Sequence, residues 1–188
     1  MTKVLILTAN PTNTKPLRLS EEVREIKAAW ERSPQRHQFE IIVEEAVQPK
    51  DFRRTLLEHK PQILHFAGHG CGEDGLALLG DDNRAHLIKP ETLTHFFKAL
   101  QDIFHIDCVV LNACYSEVQA NGIDPFVDAV VGMSHAIGDR AAHQFSIGFY
   151  DTIFAEESVS SAFTLGCNAI EMENLPEHLT PVLRQGQW

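Results

Sequence analysis

The sequence predicts a three-layer α/β/α sandwich around a mostly parallel, doubly wound sheet. Three observations carry that expectation. Apolar runs of strand length alternate with segments of helical period along most of the 188 residues. The strand-like runs are almost wholly apolar, as strands covered on both faces are. The intervals between them leave room for the helical crossovers that parallel neighbours require. A chain of this length has the usual size of one domain, so residues 1–188 are read as a single unit.

Taken in order, Val4 to Thr8 is the first strand, closed by the turn signal Asn10-Pro11. Leu19 to Arg32 follows as a helix, with Leu19, Val23, Ile26 and Trp30 on one stripe and Ser20-Glu21 at its start. Phe39 to Val43 is the second strand. Pro49 to His59 is helical, with Phe52, Leu56 and Leu57 on one face and a proline where the first turn tolerates it. Ile63 to Ala67 is the third strand and runs straight into a glycine turn. Residues 75–88 hold two short apolar patches around Asp81-Asp82-Asn83, the pattern of a hairpin or flap. Pro90 to Leu100 is a helix, Asp107 to Leu111 the fourth strand and Asp128 to Met133 the fifth. Gly138 to Phe154 and Ser158 to Met172 read as two more helices. The tail from Pro176 carries two prolines and is expected to lie across the surface.

Composition removes several classes of function. Sixteen basic against 26 acidic residues give a net charge of -10, and no basic cluster offers a footprint for nucleic acid. Residues 3–8 are apolar but far shorter than the ~20 residues of a membrane span, so no membrane association is expected. The four cysteines, Cys71, Cys108, Cys114 and Cys167, are too scattered for a disulfide framework and suit reduced thiols in the cytoplasm. The loop Ala9 to Thr14 lacks a glycine-rich fingerprint or a phosphate-binding lysine, although a nucleotide-sensing α/β domain stays open as an alternative.

In doubly wound sheets, chemistry gathers at the carboxyl ends of the strands. The third strand ends in Gly68-His69-Gly70 and the fourth in Asn112-Ala113-Cys114. If the two are parallel neighbours, His69 and Cys114 emerge side by side. Glycines flanking His69 allow a sharp turn and close approach to a substrate. An imidazole next to a thiol favours the attacking thiolate and can then protonate the departing amine. The N–H groups of Gly70 and Cys114 are the expected oxyanion donors.

The segments His65-Phe66-Ala67-Gly68-His69-Gly70, Leu111-Asn112-Ala113-Cys114 and Val130 to Asp139 resemble the CHAT domain, a caspase-like cysteine peptidase branch related to separase. The resemblance covers roughly residues 60–172 and implies the caspase-like fold. It implies His69 as general base, Cys114 as nucleophile and Asp139 as the acid that receives a basic side chain before the scissile bond (P1). It also places Asn112 and His135 at the substrate. Two positions depart from the pattern. His135 stands where the family often has Trp, and neutral Asn112 stands where metacaspases place an Asp.

Other readings compete at single residues. His65 shares the strand parity of His69 and is read as a packing or hydrogen-bonding residue. Asp139 also suits a helix N-terminus, where the macrodipole favours a carboxylate. Asp74, Asp81 and Asp82 read as solvated turn residues. His65, His69 and Cys71 could suggest zinc, but Gly68 and Gly70 resist the helical geometry that histidines four apart need. Neither a metal nor a cofactor is expected. The function implied is a cysteine endopeptidase acting on protein or peptide after a basic residue. The resemblance adds a regulated bacterial defence or cell-death role with a regulatory protein partner. A catalytically silent interaction module with the same fold is the alternative.

Overall fold

The computed structural model describes residues 1–185. Its elements are β1 (Thr2–Thr8), α1 (Leu19–Arg32), β2 (Phe39–Glu44), α2 (Pro49–His59), β3 (Ile63–Ala67), β4 (His69–Gly70), β5 (Leu76–Leu79), β6 (Ala85–Ile88), α3 (Pro90–Leu100), β7 (Cys108–Asn112), α4 (Glu117–Ile123), β8 (Ala129–Met133), α5 (Asp139–Ile153), α6 (Val159–Met172) and β9 (Pro181–Gln185). The main sheet has the order β2-β1-β3-β7-β8-β9, with every pairing parallel except β8 to β9. A second sheet, β4-β5-β6, is antiparallel and holds the expected hairpin.

Helices cover both faces, which is why the strands read as unbroken apolar runs. Leu5, Leu7, Leu64, Phe66 and Leu111 pack with Phe52, Leu56, Phe97 and Ile123 of α2, α3 and α4. Val4, Ile6, Val110 and Val131 pack with Ile26, Phe145, Phe149 and Ile170 of α1, α5 and α6. Phe66 and Phe149 are fully buried, and burying a side chain of that size stabilises by roughly 1.5–3 kcal/mol.

Local signals set the helix ends. A capping box between Gln48 and Asp51 with Pro49 at the first turn opens α2, and Lys60 in the left-handed region (φ 47°) closes it. The Ser158 side chain accepts from the Ser161 N–H to open α6.

Register brings the chemistry to one edge. Ala67 at the end of β3 pairs with Asn112 at the end of β7, so both strands stop at the same level. Winding reverses between β1 and β3, because β2 lies to one side of β1 and β3 to the other. The loops after β1, β3 and β7 therefore share the crevice where ligands bind in open α/β sheets.

Three features differ from expectation. The fourth strand is shifted by one residue, running from Cys108 to Asn112. The tail does not simply cross the surface, because β9 pairs antiparallel with β8, Pro181 opposite Met133. Proline is tolerated there because it opens an edge strand. Helix α4, of 7 residues, was not foreseen, since its polar start and Gly122 obscure the helical period. Among the described residues no helix is long and apolar enough to cross a membrane.

Candidate active site

The cysteine sits in a tight strand-turn-helix. Beyond β7 the chain turns through Ala113, Cys114, Tyr115 and Ser116 into α4. Ser116 Oγ donates to the Leu111 carbonyl (2.8 Å) and accepts from the Met133 N–H (2.9 Å), locking the turn to β8. Tyr115 takes a left-handed conformation (φ 54°) and its N–H donates to the His135 carbonyl at 3.1 Å. A non-glycine residue held there stores on the order of 1–3 kcal/mol of strain, sustained by those anchors. Cys114 is half-buried. Its Sγ accepts from the Ile137 N–H at 3.4 Å and its S–H faces the Ile137 carbonyl at 3.6 Å. The Cys114 N–H donates to no acceptor among the described residues.

The histidine arrives from the neighbouring strand end. The Gly68 N–H donates to the Asn112 carbonyl at 3.4 Å, tying the two exits together. Gly70 lies so close to the Cys114 carbonyl that a Cβ would collide with it, so residues 69–70 run directly against the Cys114 backbone. His69 Nε2 donates to the Lys15 carbonyl at 2.8 Å. A carbonyl can only accept, so this bond fixes the proton on Nε2 and leaves Nδ1 as the basic nitrogen of the neutral ring. The Cys71 N–H donates to the Gly75 carbonyl at 2.9 Å, one position beyond the β4–β5 ladder. Alternation then makes Gly70 and Leu76 a non-hydrogen-bonded pair, so the Gly70 N–H points away from β5.

The expected substrate residues divide. Asp139 opens α5, two residues beyond Ile137, which brackets Cys114 Sγ. Its Oδ2 receives Arg18 Nε at 2.7 Å and its Oδ1 the Arg18 backbone N–H at 3.4 Å. His143 Nε2 lies 3.5 Å from Oδ1 but is not aligned as a hydrogen bond. His135 is exposed, with Nδ1 2.9 Å from Ser134 Oγ, and its carbonyl supports the turn that follows Cys114. Asn112 is a correction. It is 4% exposed and faces the α1/α5 layer, where its amide donates to Glu22 Oε1 (2.6 Å), with the Ala142 carbonyl and Ser146 Oγ each at 3.1 Å. Strand parity with Cys108 and Val110 turns it inward, into that buried layer.

His65 belongs to the same buried cluster, with Nε2 3.0 Å from Glu22 Oε1. His65, held by Glu22, and His69, held by Lys15, do not converge with Cys71 on a zinc site. The thiols of Cys71, Cys108 and Cys167 all have their pKa raised. Burial raises Cys71, with Asp74 and Cys114 adding to it. Burial likewise pushes Cys167 up to about 11 and Cys108 higher still. Among the described residues one group has cation-binding spacing, the exposed His105, Asp107 and Asp128, at the opposite edge of the sheet. There burial lifts the Asp107 carboxyl, His105 opposes the rise and Asp128 adds to it.

Four participants escaped the sequence reading: the Lys15 carbonyl, Arg18, Ile137 and the Glu22–Ser146 pair. Glu22 alone left a trace, as a charged residue at a helix position adjoining the apolar Val23.

A family model described as the CHAT domain matches residues 2–165. A protein named "Probable protease" from Gillisia limnaea is 27% identical over 176 residues, covering 91% of this chain and 31% of that protein. A "Roc-COR-CHAT protease" from an unknown prokaryotic organism is 24% identical over 183 residues, covering 93% of this chain and 17% of that protein. The chain thus spans less than a third of these relatives. Among solved structures, a secreted C11 cysteine protease from Bacteroides thetaiotaomicron, bound to an irreversible peptide inhibitor, aligns with a TM-score of 0.62. That alignment has 14% identity over 92% of this chain and 59% of the other. A second C11 structure from the same organism, "iotapain", gives a TM-score of 0.56 at 9% identity, over 89% and 60% of the two chains. Both carry the same mixed α/β architecture around a mostly parallel sheet.

Proposed function

We propose that this chain, which belongs to the CHAT domain family, is a caspase-like cysteine endopeptidase with Cys114 as nucleophile and His69 as acid and base. The observation that carries the reading is the convergence of two strand ends: Gly70 packs on the Cys114 backbone while the Lys15 carbonyl holds His69 Nε2. His69 Nδ1 takes the thiol proton, and the thiolate attacks the scissile carbonyl carbon. The resulting oxyanion is met by the N–H groups of Gly70 and Cys114, each contributing roughly 3 kcal/mol in comparable sites. The protonated imidazole gives its proton to the departing amine. A water, deprotonated by His69, then cleaves the thioester and restores the thiol.

Asp139 is the proposed acceptor of an Arg or Lys at P1, supported by its place two residues beyond the segment that brackets Cys114 Sγ. The substrate is a protein or peptide. The resemblance to CHAT peptidases supports a regulated role in bacterial defence or cell death with a protein regulator. The free thiols suit a cytoplasmic setting.

Fluorogenic peptides differing only at P1 test the specificity. Arg and Lys peptides are expected to be cleaved, with an advantage over Leu of about 10- to 100-fold, the range of a charge-assisted hydrogen bond. Asp139→Asn is expected to erase that advantage. Preference for Asp at P1, or an unchanged advantage in the variant, rules Asp139 out of this role.

A further inference from the structure

We propose that residues 10–18 form a strap whose Arg18 occupies the P1 pocket at Asp139, so that a basic substrate side chain binds by displacing it. This rests on the reading of Asp139 given above and adds a resident competitor to it.

The strap is a built segment, anchored at several points. Asn10 pinches its base through Nδ2 to the Leu17 carbonyl (3.0 Å) and Oδ1 from the Leu17 N–H (3.3 Å). Its outer turn is tied to the β5–β6 hairpin, where the Thr12 N–H meets the Asn83 carbonyl (2.9 Å) and Asn13 Oδ1 accepts from the Ala85 N–H (2.7 Å). Lys15 then holds the catalytic imidazole, and Arg18, three residues on, holds Asp139. One short segment thereby touches the hairpin, the base and the pocket acid.

The Arg18–Asp139 contact has the chemistry of substrate recognition. A guanidinium nitrogen meets one carboxylate oxygen at 2.7 Å, and the same residue's backbone N–H faces the other at 3.4 Å. A substrate arginine would seek the same oxygens. The side chains are 53% and 29% exposed. An ion pair so open to solvent is weak and screened, which suits exchange rather than permanent blockade. Because Lys15 lies on the same strap, displacing Arg18 also pulls on the carbonyl that orients His69.

Binding tests this without depending on turnover. In a Cys114→Ala background, a tripeptide amide ending in arginine and its leucine counterpart are titrated by calorimetry, with and without Arg18→Ala or Arg18→Gln. Removal of Arg18 is expected to tighten the arginine peptide about three- to five-fold, the scale of an exposed ion pair, and to leave the leucine peptide unchanged. Adding Asp139→Asn is expected to abolish the gain. An unchanged or weaker affinity for the arginine peptide, in both Arg18 variants, overturns the proposal and makes the pair a simple tie between α1 and α5. Arginine and leucine peptides binding alike in every variant overturns it together with the basic-P1 reading. Turnover by the wild-type protein, measured separately, decides the peptidase assignment.

Discussion

Cys114→Ala is expected to lower cleavage of an arginyl peptide by on the order of 10⁴-fold while leaving a folded protein. The size of the loss follows from what surrounds the thiol. Ser116 Oγ is fully buried and committed to Leu111 and Met133, so it cannot substitute as nucleophile. Cys71 is exposed, but burial of its thiol, the Asp74 carboxylate and Cys114 itself all raise its pKa and suppress the thiolate. Folding should survive, because Cys114 is half-buried and, among the described residues, its sulfur hydrogen-bonds only with the Ile137 backbone. The checks are kcat/KM and thermal unfolding followed by circular dichroism. Activity within tenfold of wild type would mean that another group attacks.

The second large effect concerns stability. Glu22, 3% exposed, draws His65, Asn112 and Ser146 onto one oxygen at 3.0, 2.6 and 2.6 Å, joining α1, β3, β7 and α5 beneath the Cys114 turn. Burial alone would raise its carboxyl pKa, but the His65 hydrogen bond and charge, with Ser146 and Asn112, outweigh it and hold the carboxyl below its ordinary value. Glu22→Ala strands those partners in the core and is expected to destabilise by about 3–5 kcal/mol, read from urea unfolding at pH 7. A lowered folded pKa stabilises fully above the unfolded value of about 4.3 and progressively less as pH falls through the folded value. The gap between wild type and variant should therefore shrink below about pH 4. A gap that is absent at neutral pH, or that widens in acid, contradicts the account.

The strand ends were legible because they depend on residue type and order alone. His69 follows a run of five buried residues between two glycines, and Cys114 follows another such run. The rest depended on pairings between distant positions. The family resemblance places Asn112 at the substrate, yet its parity with Cys108 and Val110 turns it toward Glu22, 90 residues away. His65 reads from the strand as a half-buried packing or hydrogen-bonding residue; it is fully buried and bonded to Glu22, a partner that the strand alone does not name. The Lys15 carbonyl had no signature, since every residue carries such an acceptor. Arg18 meets Asp139 across 121 residues, and only the sheet's winding brings them together. The two prolines of the tail suggest a segment lying across the surface, whereas Pro181 opens an edge strand.

The pairing of His69 with Cys114 is tested most directly by covalent labelling of the native protein with an arginyl chloromethyl ketone, mapped by peptide mass spectrometry. The account predicts an adduct on Cys114, strongly slowed in His69→Ala. It also predicts little reaction at exposed Cys71, at Cys167 with its pKa pushed up to about 11, or at buried Cys108. Labelling of Cys71 ahead of Cys114, or labelling of Cys114 at an unchanged rate without His69, would contradict it.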